Sequence, residues 1–79
     1  MTDHLYDYIA ELPFSKRLAI VMALADITSK ELAYEAGLSL SAVYGYRSGC
    51  ENATAERRQQ FDEIVSSRAP LLKGLLKEG

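Results

Sequence analysis

The sequence is short of cysteine, histidine and long apolar runs. Its single cysteine, Cys50, excludes an intrachain disulfide, and the only histidine, His4, is too far away in sequence to give a metal-ligand spacing. A chain without disulfides is typical of a reducing compartment, so the sequence predicts a cytoplasmic protein. The longest apolar run, residues 18–25, falls far short of the about 20 residues that a membrane span needs, and no membrane partner is expected.

Patterns that carry catalysis are also missing. No nucleophile stands close to a histidine in the sequence, and there is no glycine-rich phosphate loop. We therefore predict no cofactor and no enzyme activity. The 79 residues are enough for one small domain with a modest core.

Charge is distributed unevenly along the chain. The formal net charge is −2, yet residues 1–14 contain three acidic residues and no Lys or Arg, while residues 15–79 hold all nine Lys and Arg and are nearly neutral. The acidic balance of the whole chain therefore neither supports nor excludes nucleic acid as a partner. Whether nucleic acid is a partner depends on whether the basic side chains lie together on one face.

Apolar residues recur at helical spacings along the whole chain, and no strand-like alternation is present. The pattern predicts helices over residues 2–12, 14–25, 29–36, 39–47 and 55–67, and a last helix that opens at Pro70. We predict an all-α, compact bundle of five to six helices that forms a single domain over residues 1–79. It comprises an N-terminal accessory helix over 1–13, a core over 14–67 and a C-terminal helix over 68–79.

Local signals mark where these helices begin and end. Thr28 and Glu31 have the spacing of a capping box, and Gly37 is placed to end the helix that this box begins. Gly49 is placed to end the following helix. The predicted N-cap residues are Ser15, Thr28, Ser39 and Thr54.

The helices over 29–36 and 39–47 have the pattern of a helix-turn-helix unit. Ala33 provides a small side chain where the second helix crosses the first, Gly37 provides the turn, and Val43 provides the apolar contact. Tyr46 is predicted to pack inward. The outward face of the second helix then consists of Leu40, Ser41, Tyr44, Gly45, Arg47 and Ser48.

With these residues in place, "ITSKELAYEAGLSLSAVYGYRSGCENAT", residues 27–54, resembles the core of the lambda-repressor-like family, which includes phage repressors, Cro proteins and Xre-type regulators. "KRLAIVMALADIT" corresponds to the first helix of that family and "TAERRQQFDEIV" to its fourth. The resemblance covers about residues 14–67. The chain departs from it at Ser29, where members often have glutamine, and at Ala53, where they often have proline.

The resemblance implies a sequence-specific, DNA-binding transcriptional regulator of the nucleoid, a repressor of phage or mobile-element type. It would bind double-stranded operator DNA as a homodimer, with helix 39–47 in the major groove. The implied base contacts are Leu40, Ser41, Tyr44 and Ser48. The implied phosphate contacts are Ser29, Lys30 and Arg47, to which we add Arg57, whose alternative is a solvated helix face.

Two surfaces are candidates for the dimer contact. The C-terminal stripe consists of Leu71, Leu72, Leu75 and Leu76, and its alternative role is to close the core of the monomer. The competing N-terminal stripe consists of Leu5, Tyr8, Ile9 and Leu12.

Two other functions remain open at this point. In the first, the helix-turn-helix unit is only a scaffold, and the acidic N-terminal helix binds a basic protein partner. In the second, the chain is an antitoxin-like adaptor that binds both DNA and a protein. The first is favoured by the scarcity of Lys, Arg, Asn and Gln, the side chains that best read base edges, on the outward face of helix 39–47.

Overall fold

The chain folds into five α-helices and one 3-10 turn, and residues 2–77 contain no strand. The computed structural model describes residues 2–77, with side chains from residue 6 onward. The helices are α1 (Thr2–Glu11), α2 (Phe14–Leu24), α3 (Ser29–Ala36), α4 (Leu40–Ser48) and α5 (Ala55–Arg68), and the 3-10 turn is Pro70–Leu72. The predicted all-helical bundle is confirmed. The place of Leu5 in the N-terminal stripe lies outside the described side chains.

Helix α3 begins and ends where the sequence predicts. The Thr28 N–H donates to Glu31 Oε1 at 3.0 Å and the Glu31 N–H donates to Thr28 Oγ1 at 3.1 Å, which completes the capping box. At the other end Gly37 has φ +70°, a conformation that glycine adopts without steric cost. The Leu38 N–H then donates to the Ala33 carbonyl at 2.8 Å, which satisfies a carbonyl that the helix itself cannot pair.

Helices α4 and α5 also carry the predicted caps, but α2 does not. Ser39 Oγ accepts from the Ala42 N–H at 3.2 Å, and Thr54 Oγ1 accepts from the Arg57 N–H at 3.2 Å. The prediction of Ser15 as the N-cap of α2 is wrong. Helix α2 already begins at Phe14, directly after Pro13, so Ser15 lies inside its first turn. Across residues 2–77, every helix is too short or too polar to reach through a bilayer.

Phe61 of α5 lies at the centre of the core and is fully buried. Its ring stacks on Phe14 with 6.4 Å between centroids and meets Tyr46 edge-on at 5.5 Å. Helices α2, α4 and α5 therefore meet at one side chain, and Tyr46 packs inward as predicted. The other large, fully buried side chains are Leu18, Val21, Leu32, Val43, Val65, Leu75 and Leu76.

The segment after α5 does not form the predicted C-terminal helix. Only its first three residues are helical, as a 3-10 turn, and further turns follow to residue 77. Leu75 and Leu76 are 2% and 0% exposed, whereas Leu71 is 91% exposed. The prediction that Leu71, Leu72, Leu75 and Leu76 form one dimer stripe is therefore wrong, because Leu75 and Leu76 lie in the core of the monomer.

Two buried charged side chains hold this C-terminal segment. The Asp62 carboxylate of α5 accepts from the backbone N–H of Gly74 at 2.9 Å and from that of Leu76 at 3.3 Å. Arg17 of α2 donates through Nη1 to the Leu75 carbonyl at 2.9 Å. Buried backbone groups outside helices and strands need such partners. These contacts explain how an irregular segment is accommodated in the core.

Arg68, at the end of α5, connects this helix to α3. Its guanidinium donates to Glu31 Oε2 at 3.1 Å and also pairs with Glu35. Glu31 therefore has two partners, since its other oxygen completes the capping box with Thr28. The backbone hydrogen bond from Thr28, followed by the hydrogen bond from Arg68, lowers the pKa of the Glu31 carboxyl below its ordinary value.

Stability is expected to depend on pH through Glu31. Its pKa is lower in the folded protein than in the unfolded chain, so its stabilising effect is complete above the ordinary glutamate pKa of about 4.3. The effect is lost as the pH falls through the lowered folded value. Urea unfolding between about pH 7 and pH 3 measures this effect. The difference in free energy of unfolding between the wild type and Glu31→Gln should become smaller as the pH falls. Glu63→Gln, at an exposed position of α5, is the control, and an undiminished Glu31→Gln difference at low pH would contradict the expectation.

Candidate nucleic-acid interface

Helices α3 and α4 pack against each other across the turn at Gly37. Ala33 of α3 is 5% exposed and Val43 of α4 is fully buried. The small side chain, the glycine and the apolar side chain therefore occupy the packing positions that the helix-turn-helix pattern assigns to them. This packing fixes the face that α4 presents to solvent.

Four of the predicted side chains share the outward face of α4. Leu40 is 40% exposed and Tyr44 is 53% exposed, and both serines at positions 41 and 48 are exposed. At 3.6 residues per turn these four positions fall within an arc of about 100°. We call this surface, formed by Leu40, Ser41, Tyr44 and Ser48, the α4 face.

The two hydroxyls of the α4 face differ in their partners. Ser48 donates to the Gly45 carbonyl at 3.2 Å and accepts weakly from the Cys50 N–H at 3.4 Å, so it is occupied at the helix end. Ser41 makes no side-chain hydrogen bond to any described residue. The hydroxyl of Ser41 is therefore the freer of the two to contact a ligand.

Gly45 does not belong to the outward face, contrary to the prediction. It is only partly exposed, and a Cβ built on it would lie 2.8 Å from Glu51 Cγ. The Glu51 N–H also donates to the Gly45 carbonyl at 3.1 Å. A larger residue here would require the exposed Glu51 side chain to shift, because the loop after α4 folds back over this position.

Ser29 and Arg47, both predicted phosphate contacts, bond to each other. Arg47 Nη1 donates to Ser29 Oγ at 2.6 Å, and Ser29 is only 6% exposed. The prediction that Ser29 contacts phosphate through its side chain is therefore wrong, because its hydroxyl is buried and accepts from Arg47. Arg47 itself is exposed. The Ser29 hydroxyl holds the guanidinium of Arg47 beside the first turn of α3.

The two acidic side chains of α3 share one basic partner on α5. Glu31 and Glu35 both pair with Arg68, whereas Lys30 and Arg47 form no ion pair with a described residue. Lys30 is exposed in the first turn of α3. Because one arginine balances only one of these two carboxylates, the surface of α3 and α4 is less acidic than the sequence suggests but still carries negative charge beside Lys30 and Arg47.

Arg57 and Arg58 both have partners within the fold. Arg57 Nη1 donates to Gln60 Oε1 at 2.6 Å, and Gln60 in turn donates to the Ala36 carbonyl at 3.2 Å. The Arg58 guanidinium lies 4.8 Å from the centroid of the Phe14 ring. Arg57 is half-buried and supports the end of α3 through Gln60. Its predicted contact with phosphate would add to that role.

Sequence patterns did not point to two features of this surface. Tyr34 of α3 is 87% exposed, the most exposed aromatic residue among the described side chains. It lies one turn after Lys30 and outside the apolar stripe of α3. Helical periodicity was the signal that could have placed Tyr34 on the exposed side of α3. Arg68 gives no such signal, because its partners are 33 and 37 residues away.

Compared with known proteins, the chain matches no family model, no curated protein and no solved structure. Within residues 2–77, His, Cys, Asp and Glu side chains form no group of three or more that could hold a metal ion. The surface of α3 and α4 presents hydroxyls, one leucine, tyrosines and two basic side chains.

Proposed function

We propose that the protein is a sequence-specific DNA-binding transcriptional regulator that binds operator DNA as a homodimer. The observation that supports this most directly is the α4 face. Four exposed side chains lie on one side of a helix that the buried Val43 fixes against α3. Repression, and an origin in a phage or mobile element, are the narrower form of the proposal and follow from the family resemblance alone.

The dimensions of α4 suit a major groove. The helix has nine residues, and an α-helix with its side chains is about 10–12 Å in diameter. The major groove of B-DNA is about 12 Å wide and admits a helix of that diameter. In such docking the first residues of the recognition helix contact base edges. Leu40 and Ser41 are the first two residues of α4, and Tyr44 lies one turn further along the same face.

The charges near α4 support contacts with phosphates. Arg47 is fixed in position by Ser29, and an ordered guanidinium loses less conformational freedom on binding than a mobile one. Lys30 is exposed at the N-terminal end of α3, where backbone N–H groups favour anions. Pairing of Glu31 and Glu35 with Arg68 reduces repulsion between this surface and DNA.

A protein-interaction module is the second candidate, and helix α1 favours it. Tyr8 is 60% exposed, Asp7 and Glu11 are exposed beside it, and residues 1–14 contain no Lys or Arg. Such a surface suits a basic protein partner. An antitoxin-like adaptor would use this surface and the α4 face together.

Gel-shift titration of the full chain against a random-sequence DNA library at two salt concentrations tests the proposal. A regulator should enrich a small set of duplexes, with a log–log salt slope of about −0.9 for each phosphate neutralised. Ser41→Ala and Tyr44→Ala should reduce the preference for the enriched duplexes. Arg47→Ala should weaken binding to all duplexes and reduce the slope by about one.

Tyr8→Ala is the matched control for this titration, since it removes an exposed tyrosine from α1 and leaves α4 intact. It should leave DNA binding unchanged. Weak binding to every duplex that is indifferent to Ser41→Ala, Tyr44→Ala and Arg47→Ala would contradict the proposal. That result would favour the interaction module. Binding of a basic partner protein that is weakened by Tyr8→Ala would then support the module.

A further inference from the structure

The α4 face presents apolar surface at its leading end. Leu40 and Tyr44 are 40% and 53% exposed and stand one helical turn apart, so their side chains are neighbours. The α4 face contains no Arg, Lys, Asn or Gln. It therefore lacks the bidentate groups that read guanine and adenine.

The nearest basic side chain does not supply that missing chemistry. Arg47 donates through Nη1 to the buried Ser29 hydroxyl, which directs part of its guanidinium toward α3. Ser48 is occupied by the Gly45 carbonyl. The Ser41 hydroxyl both donates and accepts, so its contribution to the preference does not single out one base edge.

Thymine is the base that an apolar surface can select. In the major groove of ordinary DNA it alone carries a methyl group, and contact with an apolar side chain is how proteins recognise it. We propose that Leu40 and Tyr44 make the α4 face selective for thymine through its 5-methyl group. This inference rests on the proposed DNA-binding function and specifies what that function reads.

Replacing thymine with uracil in the bound DNA tests the inference, because the exchange removes the methyl group and keeps the base pair. The full chain first selects duplexes from a random library, and each thymine of the preferred duplex is then replaced singly by deoxyuridine. At one or more thymines in each half-site we expect binding to weaken about fourfold, which corresponds to ~0.8 kcal/mol for one buried methyl group.

Variants of the two side chains identify the source of this effect. At the thymine that the removed side chain contacts, Leu40→Ala or Tyr44→Ala should have the same affinity for the duplex with thymine and the duplex with uracil. Tyr44→Phe retains the ring and should still distinguish them. Leu71→Ala removes another exposed leucine, far from α4 in sequence, and it should behave as wild type. All three positions are exposed, and circular dichroism checks that each of the four variants is folded.

Two results would overturn the inference. Uracil could be tolerated at every thymine of the preferred duplex, or the fourfold loss could persist unchanged in both Leu40→Ala and Tyr44→Ala. A library from which no duplex is enriched is a distinct result, since it overturns the proposed DNA-binding function itself. Loss of affinity at uracil that disappears in one of the two alanine variants would support the inference.

Discussion

Replacing Phe61 by alanine is expected to lower the free energy of unfolding by about 3–5 kcal/mol. The side chain is fully buried, and its removal deletes the ring contacts with Phe14 and Tyr46 together. A domain of this length has about 4–12 kcal/mol of stability in total. The loss is therefore large enough to leave a substantial unfolded fraction near physiological temperature.

Urea unfolding followed by circular dichroism measures this loss. Tyr34→Ala is the matched control, because it removes an aromatic ring that is 87% exposed and should change stability by no more than about 0.5 kcal/mol. Similar losses in the two variants would contradict the assignment of Phe61 to the centre of the core. Since Tyr46 of α4 rests on Phe61, we expect Phe61→Ala to weaken DNA binding as well.

Features that depend on neighbouring residues could be predicted from the sequence. The start and end of α3 follow from Thr28, Glu31 and Gly37, all within ten residues, and the structure confirms them. The helix-turn-helix pattern assigns Val43 to the inward face of α4 and Tyr44 to the outward face, and their exposures of 0% and 53% agree. Caps and periodicity are local physical rules, so no knowledge of the tertiary fold is needed.

Features that depend on distant residues could not be predicted. A charged residue in a helix is normally exposed, yet Arg17 and Asp62 are 3% and 2% exposed because they bond to the C-terminal segment. That segment follows α5 in sequence and has a spacing of leucines that also fits an amphipathic helix. Its irregular path is explained only by the positions of these two buried partners.

The candidate site shows the same division. Helical periodicity and the helix-turn-helix pattern together place Leu40, Ser41, Tyr44 and Ser48 on one face, although they also placed Gly45 there. It gave no indication that Arg47 bonds to Ser29, 18 residues earlier, so two residues predicted to bind phosphate separately form one unit. Periodicity assigns residues to faces of a helix, whereas pairing across helices depends on how the helices pack.

Replacing Leu76 by alanine is expected to lower the free energy of unfolding by about 2–5 kcal/mol. Leu76 is fully buried, and its N–H donates to the buried Asp62 carboxylate at 3.3 Å. Leu71→Ala is the matched control, because Leu71 is 91% exposed and the same truncation there should change stability by at most about 0.5 kcal/mol. Thermal unfolding of both variants at several protein concentrations measures the difference.

The dependence on concentration decides where the leucines act. If Leu76 stabilises the monomer, the loss of stability caused by Leu76→Ala should be the same at every protein concentration. A contact between subunits through the C-terminal leucines would instead raise the unfolding temperature with concentration, and Leu71→Ala would then be at least as damaging as Leu76→Ala. We expect the first result, since Asp62 and Arg17 both bond to the backbone beside Leu76. The proposed homodimer would then form through a surface other than the C-terminal leucines.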